Sequence, residues 1–438
     1  MSNSMNQQAL RMDPAFKKKG ILVVAAVLVG FMLQAIMTND STNILTMVLP
    51  NLRGWTQTMI TLPATVGGWC ALAVTVLAGT LVKRIGSYNC LKIGYIILGI
   101  ALICIGTIDS YPVYFVALLA TRCGQALGFF SSVTLCTDWF LAYRGTVLGI
   151  VTMGPPISSA ALVPAMTLLV NNLGFNVGWI GMGVVAFIFV IFLCICGKST
   201  PEDYGWQQDG FKRSAEELSK MGMDDGTPNI WTLPRMLKKK EYWILTIAGA
   251  LGGMTFGSGL MLFIPVVTSA GIDPALALTL FSVGSALAIP FSFVSGILDD
   301  KFGTKPAFLV VFSVTFLMPL SMALLIATGL LVFGLLSAFF CGILAGCLMN
   351  MNPSIKQWAF GRKAFVDFNR TAQAVENACQ TLGVLVLSIF MDLTGTYLTG
   401  FIFIAVLMAV VFFFTVTIRS HAPEVITFEK AKQSAGLA

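Results

Sequence analysis

The sequence predicts an all-α, polytopic membrane protein of twelve spanning helices, and three observations carry that expectation. Apolar residues make up 56% of the 438 residues and charged residues 11%, whereas a soluble domain carries roughly 25% charged residues. The apolar residues fall into blocks, each near the ~20 residues that cross about 30 Å of hydrocarbon. The basic residues gather in alternate connections between those blocks, as the positive-inside rule requires.

The blocks lie near 20–48, 57–81, 90–108, 112–136, 146–169 and 176–197. They resume near 242–268, 274–297, 306–327, 329–352, 366–390 and 397–418. The expected domains are therefore a six-helix half over 1–197, a cytoplasmic central loop over 198–241, and a second half with a cytoplasmic tail over 242–438. With the N-terminus inside, the inner segments hold Arg11, Lys17, Lys18, Lys19, Lys83, Arg84, Lys92, Arg144, Lys301, Lys305, Lys356, Arg362 and Lys363. Arg53 is the basic residue left outside. This bias puts both termini in the cytoplasm and the chain in a cell (cytoplasmic or inner) membrane. The apolar run after Lys19 ends in no small-x-small cleavage site and reads as the first spanning helix. In the central loop, Ser214 to Met221 reads as a short amphipathic helix. The basic run Lys238-Lys239-Lys240 reads as an anchor to anionic headgroups.

Composition excludes several classes. The net charge of +7 sits between apolar blocks rather than on a nucleic-acid-binding face. The ten cysteines include no CxxC pair or His neighbour of a metal site, so reduced packing residues are expected. His421, the one histidine, lies in the polar tail, which leaves none for catalysis or proton relay in the membrane. A membrane-embedded enzyme has no residue set to support it, and no Walker loop supports ATP-driven pumping. A sensor has no sizeable signalling domain. No cofactor and no metal are expected. The partners expected are a small-molecule substrate and the lipid bilayer, with the protein a monomer.

The halves echo each other. Gly79-Thr80-Leu81-Val82-Lys83-Arg84-Ile85-Gly86 follows the second block, and Gly296-Ile297-Leu298-Asp299-Asp300-Lys301-Phe302-Gly303 follows the eighth. Glycines allow a tight turn, and basic residues face headgroups while an aspartate pairs with them or with a helix N-terminus. Parallel six-helix repeats suit a rocking transporter. The pattern G-x-L-x-D-R/K-x-G-x-R/K resembles the signature loop of the major facilitator superfamily. Asp300 holds the acidic position in the second copy, and Lys83 replaces it in the first. The resemblance implies the major facilitator fold, with Gly79, Arg84, Gly86, Gly296, Asp300, Lys301 and Gly303 in its gating loops. Three further stretches are similar to the oxalate/formate-antiporter-like and monocarboxylate-transporter-like members. They are Asp138-Trp139-Phe140 with Arg144-Gly145, Pro201-Glu202-Asp203-Tyr204-Gly205, and Phe360-Gly361-Arg362-Lys363-Ala364-Phe365 with Asp392-Leu393-Thr394-Gly395.

Charge inside a membrane is costly and marks functional candidates. Arg122 lies about ten residues into the fourth helix. Arg122-Cys123-Gly124-Gln125-Ala126 resembles the R-x-x-Q-G motif of proton-coupled members. Arg122 with Gln125 is expected either to bind a substrate carboxylate or to hold a fixed ion pair. On the eleventh helix Asn369, Gln373, Glu376, Asn377 and Gln380 recur at helical spacing. A polar stripe in lipid must face protein or water, so Gln373, Asn377 and Gln380 are expected to line a substrate path or a seam to a neighbouring helix. Glu376 is the expected proton-coupling residue, because a buried carboxyl near a cation can load and unload a proton. Asp40 is the second acid, either at an outer gate or as an interfacial cap. Asn350 and Asn352 are expected as polar lining. Gly249, Gly253 and Gly257 mark close packing or bending of the seventh helix.

The oxalate-type and monocarboxylate-type members place an arginine in the eighth helix, and this chain has no basic residue within that block. Arg122 is then the one expected cation for a substrate, which disfavours a dicarboxylate. The leading expectation is a secondary transporter of a small organic solute, an organic anion or monocarboxylate. It would work by alternating access with proton symport or anion exchange. An efflux pump for apolar drugs or metabolites stays open as the alternative.

Overall fold

The structure is a computed structural model, and it describes residues 14–140, 144–196, 200–206 and 231–421. Among these residues every regular element is helical. Twelve helices are long and apolar enough to span a membrane. They are α1 (Ala15–Arg53), α2 (Gln57–Ile85), α3 (Ser87–Thr107), α4 (Tyr111–Cys136), α5 (Val147–Leu173), α6 (Phe175–Ile195), α7 (Lys240–Met261), α8 (Pro274–Asp299), α9 (Thr304–Thr328), α10 (Leu331–Leu348), α11 (Asp367–Thr394) and α12 (Leu398–Val416). The expected amphipathic helix at 214–221 lies outside the described residues.

The chain packs as two compact units, one of 1–44 with 66–223 and one of 45–65 with 224–438. In the first unit, glycines bring α3 onto α4. A Cβ on Gly94 would meet the Gly124 carbonyl oxygen at 2.9 Å and the Gly128 nitrogen at 3.0 Å. The start of the central segment also belongs here. Pro201–Tyr204 form one 3₁₀ turn, whose Tyr204 packs on Trp139 at 6.1 Å between ring centroids. Trp206 packs on Phe16 at 5.8 Å. The aromatic motifs at 139 and 204–206 thus tie the central segment to the ends of α1 and α4.

The second unit repeats the device. Glycines of α8 and α10 meet where a Cβ on Gly342 would approach the Gly284 carbonyl oxygen at 2.6 Å, and a Cβ on Gly284 would lie 2.6 Å from the Ala338 carbonyl oxygen. On α7, a Cβ at Gly253 would meet the Glu376 carbonyl oxygen of α11 at 3.2 Å, so this face makes a close helix contact. The C-terminal end of α1 and the N-terminal end of α2, residues 45–65, join this unit. Asp392 of α11 accepts from the backbone N–H of Gln57 at 3.1 Å and of Thr58 at 2.7 Å, and so caps the positive end of α2.

Several boundaries differ from the sequence expectation. The repeated loops shrink to single residues. α2 runs through Gly79 and Arg84 to Ile85, and its turn is Gly86 alone, with φ 85°. The helix of α8 runs through Gly296 and Lys301 to Phe302, and its turn is Gly303, with φ 83°. A left-handed φ favours glycine at both. Arg84 and Lys301 are exposed on the last helical turns. Of Asp300 the backbone is helical, and its side chain lies outside the described residues. The seventh block breaks at Leu262 before a short helix, Phe263–Ser269. The tenth helix does not stop near 352 but continues as Met349–Phe360. Among the described residues, three helices widen to π turns, at Ile36–Asp40, Ser158–Leu162 and Leu344–Leu348.

The α7–α11 contact yields a stability test. A Cβ at Gly257 would meet Gln380 Cγ at 2.9 Å and the Gln380 carbonyl carbon at 3.1 Å. Gly257→Val should therefore destabilise the protein by roughly 1–3 kcal/mol through overpacking. Thermal unfolding in detergent would show an unchanged midpoint if that contact were not close.

Candidate functional site

Each unit buries charged side chains among its helices. In the first unit, Arg122 is 3% exposed at mid-helix in α4. Its room comes from α2, where a Cβ on Gly67 would meet Arg122 Cγ at 2.9 Å. The guanidinium donates from Nη1 to the Asn39 Oδ1 of α1. It donates at the outer limit of 3.5 Å to Gln125 Oε1 and to Thr42 Oγ1. Its Nε has no partner. All three partners are neutral, and Arg122 forms no ion pair among the described residues. The fixed-ion-pair expectation for Arg122 therefore finds no acid.

Asp40 is 1% exposed, and it is not an interfacial cap, because α1 continues from the π turn to Arg53. Ser158 Oγ donates to Asp40 Oδ2 at 3.1 Å, and Ser159 Oγ lies 3.0 Å from each carboxylate oxygen. In the sequence these serines stand only where an antiporter-type fifth-helix motif would have a glycine pair, and no site role is assigned to them there.

In the second unit, Glu376 is 5% exposed. Lys356 Nζ lies 2.7 Å from its Oε1, and Asn352 Nδ2 donates to its Oε2 at 2.8 Å. Lys356 is wholly buried and also donates to Asn369 Oδ1 at 3.1 Å. Asn369 in turn donates to Gln373 Oε1 at 3.2 Å. A Cβ on Gly249 would crowd the Glu376 carboxyl and lie 3.0 Å from Asn352 Oδ1, so glycine on α7 opens the space for the pair. The polar stripe of α11 divides. Asn369 and Glu376 engage the continuation of α10, Gln373 and Asn377 are exposed, and Gln380 is half-buried.

Lys356 is the correction of most consequence. The positive-inside count places it in an inner connection and leaves Arg122 as the one cation. It lies instead inside the extended tenth helix, four residues after Asn352, on the face that meets Glu376. That i, i+4 spacing was the available signal. Asn350 bonds α8, donating to the Ser292 carbonyl at 3.1 Å and to Ser295 Oγ at 3.2 Å. His421 is likewise not a free tail residue. It is 8% exposed, and its Nε2 lies 3.1 Å from Glu241 Oε2.

Among the described residues, twelve apolar helices that bury a few charged side chains define a multi-pass membrane protein with a transporter fold. The chain belongs to the Major Facilitator Superfamily, whose sequence signature matches residues 17–364. Its fold is similar to that of a bacterial homologue of the human lysosomal transporter Spinster, in an inward-facing and occupied conformation. The TM-score is 0.66 at 12% identity, covering 91% of this chain and 97% of that one. It is also similar to a variant of the nucleoside transporter NupG. There the TM-score is 0.71 at 14% identity, covering 90% and 99%. No curated protein matches the chain in sequence.

The Lys356–Glu376 pair makes a direct stability prediction. Lys356→Met leaves a carboxylate buried without its cation, and breaking such a pair costs about 3–5 kcal/mol. Adding Glu376→Gln to Lys356→Met should recover much of that loss. Unfolding midpoints of the single and double variants check this, and equal losses in both would show that the charges are not coupled.

Proposed function

We propose that the protein is a secondary transporter of a small organic anion, a monocarboxylate, working by alternating access with proton symport or anion exchange. The observation that carries this reading is the buried guanidinium of Arg122, which has neutral partners and an Nε without a hydrogen-bond partner among the described residues. An arginine offers a planar two-pronged donor matched to a carboxylate. Gln125, Gln373, Asn377 and Gln380 supply neutral amides that suit the rest of a polar solute. Glu376 is the proposed proton carrier. Protonating it would remove the counter-charge of Lys356 at 2.7 Å, so proton loading creates a second cation for an anion. The protein is placed in the cytoplasmic (inner) membrane with both termini inside, on the strength of the basic-residue bias.

Counterflow in proteoliposomes against a panel of organic acids tests the class, because only a transporter exchanges labelled solute unaltered. Arg122→Lys should fold and lose roughly 10- to 100-fold in kcat/KM for a carboxylate, the worth of one charged hydrogen bond. Wild-type kinetics in that variant would give Arg122 a structural role.

Glu376→Gln keeps the shape and the amide acceptor but removes titration. Uptake driven by a pH gradient should be lost while substrate counterflow survives, because exchange needs only reorientation of the loaded carrier. Retention of both activities would exclude Glu376 as the coupling residue, and loss of both would make it a binding or packing residue.

A further inference from the structure

In the first unit, one acid and one base are buried and do not meet. Arg122 reaches Asn39 and Thr42 of α1. Asp40, the residue next to Asn39, turns the other way, to Ser158 and Ser159 of α5. The carboxylate is 1% exposed, Ser158 is fully buried, and Ser159 is 2% exposed. Asp40 closes the π turn of α1, and the two serines open the π turn of α5. The two widened turns pack against each other. Such turns are frequent at functional sites, and these two bring four oxygens together within 3.0–3.1 Å contacts.

We propose that Asp40, Ser158 and Ser159 form a sodium-binding site between the π turns of α1 and α5. Carboxylate and hydroxyl oxygens are hard donors, which suit hard cations and not the softer transition metals. One carboxylate supplies a single negative charge, and a monovalent ion neutralises it. Calcium sites gather six to eight oxygens, commonly with several carboxylates, and magnesium keeps much of its water. The serine hydroxyls donate to the carboxylate. With sodium bound, the same hydroxyls rotate and present their lone pairs to it. A protonated Asp40 would use the same two hydroxyls differently, donating to one and accepting from the other, and comparing sodium with acidification separates the two cases. The adjacency of Asn39 and Asp40 adds a consequence that rests on the proposed anion reading of Arg122. One stretch of α1 would hold sodium on one side and the substrate anion on the other, so each would favour the other through opposite charge.

The experiment is thermal unfolding of the purified full-length protein, titrated with sodium chloride against choline chloride at constant ionic strength, at about pH 8 and about pH 6. A ligand that binds the folded state raises the midpoint in a saturable way, and wild-type protein should show this with sodium and not with choline. Asp40→Asn should abolish the response. Ser159→Ala should shift its half-saturation upward by about tenfold, equivalent to one lost ligand, and it carries the test if Asp40→Asn does not fold. Arg122→Lys should keep the sodium response. A flat sodium titration in wild-type protein overturns the site, as does an undiminished response in Asp40→Asn. A midpoint that follows acidification alone, and does so through Asp40, assigns the carboxylate to a proton and also overturns it. If sodium responds but no organic acid does, the anion reading of Arg122 fails and the sodium site stands.

Discussion

Hydrocarbon offers no hydrogen bonds, and the architecture depends on that constraint. Each spanning backbone must satisfy its own donors and acceptors, so the chain crosses only as helices. Lipid tails are as apolar as leucine, so apolar burial alone does not hold one helix to another. Close approach of backbones does. The chain has 42 glycines, and many sit where a Cβ would strike a neighbouring backbone, as at Gly94 with Gly124 and at Gly284 with Ala338. The same device makes room for charge. Gly67 clears space for the Arg122 side chain and Gly249 for the Glu376 carboxyl. Packing and polar chemistry are therefore set by one residue type.

The same constraint governs the hydroxyls. Thr38 donates to the Gln34 carbonyl, Thr246 to Tyr242 and Ser388 to Val384. Each spends its donor on its own helix, four residues back, and asks nothing of a partner. Ser158 and Ser159 depart from that habit, because the π turn rotates them toward Asp40. Ser159 still touches the Pro155 carbonyl at 3.2 Å, so its hydroxyl has a local alternative when the carboxylate is otherwise engaged.

How much of this could be read in advance follows from the same physics. The twelve spans were legible because about twenty apolar residues in a row have few other uses. Arg122 was legible because an isolated cation in an apolar block has no innocent explanation. Lys356 was not, because hydropathy falls away past Leu348 and cannot distinguish polar helix buried by protein from polar loop in water. Only contact with α11 makes that distinction. Ser158 and Ser159 were hidden for a different reason. A π turn changes which face a side chain occupies, and nothing in the residue types announces it. The repeated signature was read in the right place but as loops, because its glycines suggest turns. Gly79 and Gly296 lie within helices, and the turning is done by Gly86 and Gly303.

The two units handle buried charge in opposite ways. In the second, Lys356 and Glu376 are in contact at 2.7 Å. Their attraction offsets much of the desolvation each suffers, and the pair is close to neutral as a whole. In the first, Asp40 and Arg122 are both buried, yet they sit on different faces of α1 and satisfy themselves with neutral groups. Neutral hydrogen bonds screen a charge without cancelling it, so this unit carries a separated pair that proximity could have closed. Rotating α1 by one residue would exchange Asn39 for Asp40 opposite Arg122 and form the bridge. The π turn at Ile36–Asp40 fixes the register that prevents this. Under the proposed sodium and anion roles, the separated arrangement leaves each charge for an ion of opposite sign.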